Sequence, residues 1–122
     1  MLKMHIEDFR AFCLSLKGVE EGFPFGPDTL VYKVMGKVFC ISGLNGHSLQ
    51  FIVKCEPEKA IELREEYSGV IPGFHMNKKH WNTAVMDGSF SDEQAREWIM
   101  DSYNLVASSL PKKLKNELNL MP

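Results

Sequence analysis

The sequence predicts an α+β domain with one antiparallel sheet and helices packed on one face. Apolar residues fall at helical spacing near both ends of the chain. Between them, short β-branched and aromatic runs alternate in polarity and are separated by turn residues. The resulting order is helix, three strands, helix, one or two strands, long helix, which is the order of an α+β layer rather than of a parallel sheet.

Ile6, Phe9, Phe12, Cys13 and Leu16 share one helical face and Gly18 stands where such a helix stops, so residues 5–17 read as the first helix. Gly22-Phe23-Pro24-Phe25-Gly26-Pro27 cannot continue it, because proline lacks the amide proton and restricts the residue before it. An ordered aromatic loop is expected there. Thr29 to Met35, Lys37 to Ser42 and Ser48 to Val53 then read as an antiparallel meander turning at Met35-Gly36-Lys37 and Gly43-Leu44-Asn45-Gly46. Leu30, Tyr32 and Val34 alternate with Val31 and Lys33, which gives one core face and one mixed face.

Pro57 suits a first helical turn and Ala60, Ile61 and Leu63 supply an apolar side, so Glu56 to Tyr67 reads as a second helix. Gly69 to Phe74 and His80 to Met86 are extended, and Asp87-Gly88 turns the chain. Ser91 with Gln94 three residues on is a capping box that opens the clearest helix, with Ala95, Trp98, Ile99, Ser102, Val106 and Ser109 on one stripe. Pro111 restarts a last helix through Leu118.

With 122 residues, 44% of them apolar and 25% charged, the chain reads as a single globular domain spanning 1–122. Its first residues lack the apolar segment and cleavage site of a secretory signal, and no apolar run approaches the length of a membrane span. Cys13, Cys40 and Cys55 are odd in number and widely spaced, as reduced thiols are. A cytoplasmic protein without a membrane partner is expected.

No catalytic, metal-binding or cofactor-binding constellation stands out, so the chain is not expected to be an enzyme or to carry a cofactor. His75 and His80 are separated by two lysines rather than joined by thiolates or carboxylates, which argues against zinc. Cys13 and Cys40 fall on apolar positions, while Cys55, at a strand-to-helix junction, is the thiol whose pKa could be lowered. Glu20-Glu21 reads as solvated helix-end charge. Glycines punctuate turns without forming a phosphate-binding loop.

Charge is more informative than its net value of −2. From Thr29 to Lys54 there is no Asp or Glu, but Lys33, Lys37 and Lys54 occur; from Tyr67 to Met86 there is again no acid, but Lys78 and Lys79 occur. A cationic sheet edge suited to phosphates follows if these side chains project together. The same lysines also fit ordinary protection of strand edges. Lys33 and Lys37 are expected close together and Lys54 at the opposite edge, so that the three do not share a face.

The block from Ile71 to Gly88 resembles the signature of the MmcQ/YjbR family: Pro72, His75, Asn77, Lys78, His80 and Trp81, then an apolar strand and Asp87-Gly88. The resemblance implies a frataxin-like (CyaY-like) fold and a DNA-binding role through a double-wing arrangement. It implies no catalytic residue. Frataxin's iron site does not map onto the acidic stretches here.

The expected function is therefore non-enzymatic DNA binding through Lys33, Lys37, Lys54, Lys78 and Lys79, with His75, Asn77, His80 and Trp81 supplying donors and a stacking surface. The alternative is a module for a small anionic ligand or a protein partner, centred on the His75 to Trp81 turn. A third reading makes the turn purely structural: His75, Asn77 and His80 bond to backbone, one of the two histidines is buried, and Trp81 is a core residue.

Overall fold

A computed structural model describes residues 6–24, 29–45, 48–73 and 76–122. Its elements, in chain order, are α1 (Ile6–Leu14), β1 (Val19–Gly22), β2 (Thr29–Val34), β3 (Lys37–Asn45), β4 (Ser48–Lys54), α2 (Pro57–Glu66), β5 (Val70–Pro72), β6 (Trp81–Val85), α3 (Asp92–Ser108) and α4 (Lys112–Leu120). The strands form one antiparallel sheet in the order β1-β2-β3-β4-β6-β5. The α+β architecture is the one expected from sequence.

Strand alternation explains the layering. Register places Leu30, Ser42, Phe51, Ala84 and Val70 in one row across five strands, with Tyr32, Cys40, Val53 and Asn82 in the next. Most of these side chains join the core formed with Phe9 and Cys13 of α1 and with Trp98, Ile99, Tyr103 and Val106 of α3. Phe9 packs against the rings of both Tyr32 and Phe51, at centroid distances of 5.9 and 5.2 Å. The opposite parity carries Gly22, Val31, Ile41, Ile52, Thr83 and Ile71 in a row across all six strands, on the face away from the helices.

β1 was not expected. Its Val-Glu-Glu-Gly sequence lacks the apolar run that marks a strand, and the two acids looked like the solvated end of a helix. Pairing separates them instead. Glu20 lies opposite Lys33, whereas Glu21 lies opposite Tyr32 and accepts from Arg10 Nε at 2.7 Å, tying α1 to the sheet edge. Accordingly α1 ends at Leu14, earlier than residue 17, and a turn through Gly18 (φ +72°) leads into β1. Residues 25–28 of the expected aromatic loop lie outside the described residues. β3 also runs past Ser42 to Asn45, so Gly43, Leu44 and Asn45 of the expected turn belong to the strand, and Gly46 lies outside the described residues.

The β2–β3 connection is the two-residue loop Met35-Gly36, both with positive φ (49° and 88°), the mirror-image turn that matches strand twist. A register shift follows between Tyr32 and Lys33, which pair with Cys40 and Val38 and leave Phe39 as the extra residue of a bulge. Phe39 and Cys40 consequently both enter the core. The backbone groups at the bulge are met by α3: Ser102 Oγ accepts from Lys54 N at 2.8 Å and donates to Phe39 O at 2.5 Å. The capping box is present, with Gln94 N donating to Ser91 Oγ and Ser91 N to Gln94 Oε1, each at 3.1 Å. Ser109, expected on the buried stripe, is the exposed C-cap, and Tyr103 is buried in its place.

β5 is bracketed by glycines in close contact with β6. Val85 N donates to Gly69 O at 2.7 Å and Gly73 N donates to Trp81 O at 2.9 Å.

Ser102 is fully buried, so Ser102→Ala leaves a strand carbonyl and amide without their partner. A loss of about 2 to 3 kcal/mol is expected, read from urea unfolding; a variant as stable as the parent would contradict the bridge.

Candidate nucleic-acid interface

Antiparallel pairing decides where the lysines go. β2 ends at Val34, β3 begins at Lys37, β4 ends at Lys54 and β6 begins at Trp81, with Lys54 paired to Trp81. The Met35-Gly36 tip and the segment carrying Lys78 and Lys79 therefore lie at the same end of the sheet, together with Lys33 and Lys54. The expectation that Lys54 sits at the opposite edge is corrected by this register. Parity still separates the three strand lysines: Lys33 and Lys54 belong to the helix-free face, whereas Lys37 lies opposite Val34, on the helix-side parity. Strands about 4.8 Å apart place the Lys37 tip and the Lys78–Lys79 tip roughly 10 Å apart along this end. Lys37, Lys78 and Lys79 are exposed; Lys33 and Lys54 are half-buried.

The tip before β6 is held by Asn77. Its carboxamide Oδ1 accepts from Lys79 N at 2.9 Å, and its carbonyl accepts from His80 N at 3.1 Å and Trp81 N at 2.9 Å. This is the local side-chain-to-backbone bonding by which asparagine fixes turns. Asn77, though exposed, positions the two lysines that follow it. His80 is half-buried and its carbonyl accepts from Cys55 N at 2.7 Å; His75 lies outside the described residues. Trp81 is buried at 9% exposure, but by parity it stands on the helix-free side, away from the main core, and its ring is not laid open for stacking.

The YjbR family model matches residues 14–105, which include all six strands, α2 and most of α3. The chain belongs to the YjbR family. It is 38% identical over 109 residues to the uncharacterised protein YbdF of Escherichia coli O157:H7, covering 88% of each chain. It is 29% identical over 115 residues to the uncharacterised protein YjbR of E. coli K12, covering 94% of this chain and 98% of that one. Among solved structures, Deinococcus radiodurans protein DR2400, with a DUF419 domain, superposes with a TM-score of 0.87 at 34% identity, over 98% of this chain and 93% of that one. A Pseudomonas syringae protein gives 0.72 at 25% identity, over 84% and 98%.

In this YjbR-family chain, sequence reasoning missed the contribution of α4. Leu118 and Met121 approach Gly18 and Met35 beside the β2–β3 tip, and Lys112, Lys113 and Lys115 are exposed on the same short helix. Their spacing around the apolar Leu114 and Leu118 was the available signal. Acids collect at the other end of the strands, where α2 finishes with Glu65 and Glu66, Asp87 follows β6 and α3 opens with Asp92 and Glu93. Among the described residues no cluster of three His, Cys, Asp or Glu side chains could hold a metal, and no helix is long and apolar enough to cross a membrane. Cys13 and Cys40 are fully buried, and burial raises the pKa of the buried Cys55 rather than lowering it.

The signature pair Asp87-Gly88 closes the turn after β6, with Gly88 at φ +91°. Hydrogen bonds from Ser89, its hydroxyl foremost and then its amide, hold the Asp87 carboxyl below its ordinary pKa, and Ser68 adds to them. A carboxyl with a lowered folded-state pKa stabilises at neutral pH, and that stabilisation is lost as the pH falls from the ordinary value of about 3.9 through the lowered one. Thermal melts from pH 6 downward should therefore show Asp87→Asn with a shallower acid-induced loss of Tm than the parent below about pH 4. Parallel curves would contradict the assignment.

Proposed function

We propose that this protein is a non-enzymatic DNA-binding domain that grips duplex phosphates with the lysine-bearing end of its sheet. The observation that supports the reading is the convergence of Lys33, Lys37, Lys54, Lys78 and Lys79 on one end, with Lys78 and Lys79 carried on the connection before β6 and Lys37 at the start of β3. Two cationic tips roughly 10 Å apart are comparable in spacing with the width of a duplex groove, about 12 Å for the major groove. Phosphate contact needs charge and reach rather than a deep pocket, and exposed lysines supply both. A polyanion also fits better than a small anion at the turn alone, because the Lys79 amide, a donor that an anion would use, is already spent on the Asn77 oxygen.

Fluorescence anisotropy with labelled duplex DNA tests the reading. With about four lysines on phosphates, the logarithm of affinity should fall against the logarithm of salt with a slope of roughly −3 to −4. Replacing both Lys78 and Lys79 by Ala should flatten that slope by about two and leave the Tm unchanged, since both side chains are exposed. Absence of binding at about 50 mM salt, or binding insensitive to salt, would end the DNA reading.

A further inference from the structure

Beside the lysine-bearing end of the sheet, on the helix side, α2 and α3 border a groove of about 470 Å³ lined by Cys55, Glu56, Lys59, Asp101, Asn104 and Ser108 among others. That volume falls in the range of small-molecule sites. Lys59 of α2 and Asp101 of α3 span it with an ion pair at 3.0 Å, and both side chains remain substantially exposed. Between Cys55 and Asp101 the groove adjoins a recess beneath α2, walled by Val53, Lys54, Leu63, Val70, Ala84 and Trp98. The recess has about 10 Å³ of free space, room for a single non-hydrogen atom.

Asn82 lines this recess. Its Nδ2 donates to Ala60 O at 3.2 Å, which fixes the carboxamide and presents the oxygen as an acceptor. The residue is 2% exposed, and Oδ1 is fully buried without a hydrogen-bond partner. A buried acceptor of this kind is costly unless a donor reaches it. Beside it, α2 opens with Pro57 and with no side-chain cap from Glu56, so the first amides of the helix and the Lys59 ammonium are the donors at a groove that the Glu56 and Asp101 carboxylates also line. A ligand carboxylate competes with Asp101 for Lys59.

We propose that this groove is a binding site for small hydroxy or amino acids, compounds with a compact hydroxyl or ammonium donor one or two bonds from a carboxylate. The donor enters the recess and bonds Asn82 Oδ1; the carboxylate rests against Lys59 and the first turn of α2. The recess admits only the donor atom, so acids without one, or with a bulky group in its place, are excluded. The recess borders Lys54, one of the proposed DNA contacts, but the site rests on Asn82 and Lys59 and does not require that DNA bind.

Amide and side-chain NMR spectra of the ¹⁵N-labelled protein, titrated with glycolate, glycine and acetate, test it. Glycolate or glycine should shift the Asn82 carboxamide and the Cys55 and Lys59 amides in a saturable way at millimolar concentration, and acetate should leave Asn82 unmoved. Lys59→Ala, at a half-exposed position, should weaken the response at least fivefold while the spectrum stays that of a folded protein. Three results would overturn the proposal: no saturable shift with either donor-bearing acid, an equal response to acetate, or a long-lived water contact at Asn82 that the acids do not displace.

Discussion

Where β3 bulges against β2 and its pairing with β4 ends, one hydroxyl of α3 keeps β3 and β4 joined. Ser102 bridges the Phe39 carbonyl and the Lys54 amide, and the same contact seats α3 over the centre of the sheet. One residue further on, Tyr103 donates to the Lys17 carbonyl at 2.6 Å and packs edge-on against Phe39. The long helix therefore fastens β3, β4 and the turn into β1 through two adjacent side chains. The bulge bends β3 so that Phe39 and Cys40 both point at that helix, which is why a polar residue in the middle of its buried stripe is part of the packing.

That arrangement has an electrostatic counterpart. The helices crowd one face, so the loops between strands are left to carry charge at the two ends. At one end short tips bring lysines together; at the other, α2 finishes and α3 begins. Acids in the first turn of α3 are favoured there by the helix dipole, whereas Glu65 and Glu66 at the end of α2 gain no such help. A chain with almost no net charge is thus polarised along its strands.

Most of the architecture was legible because each major element has a local signature. The capping box at Ser91, Pro57 at a helix start and the Leu30-Tyr32-Val34 alternation each specify their structure within a few residues. β1 was illegible for the opposite reason: Glu20 lies opposite Lys33 and Glu21 is bound by Arg10, partners distant in sequence, and nothing local marks them as a strand. The site was half legible. Acid-free stretches flagged the lysines, but their meeting at one end depends on the order and direction of strands β2, β3, β4 and β6, and that is a property of the whole sheet. Asn82 gave no signal at all, since an asparagine inside an apolar strand looks like any other polar interruption until the space beneath α2 is visible.

The two glycines flanking β5 let it lie against β6 at a distance no other residue would allow. A methyl group at Gly69 would come within 2.5 Å of the Val85 carbonyl oxygen, and one at Gly73 within 2.8 Å of Trp81 Cβ. Neither obstacle is a flexible side-chain end, so any larger residue pries the three-residue strand off its neighbour. Two positions without charge or functional group thus set how closely β5 lies against β6, the strand that leads out of the tip carrying Lys78 and Lys79.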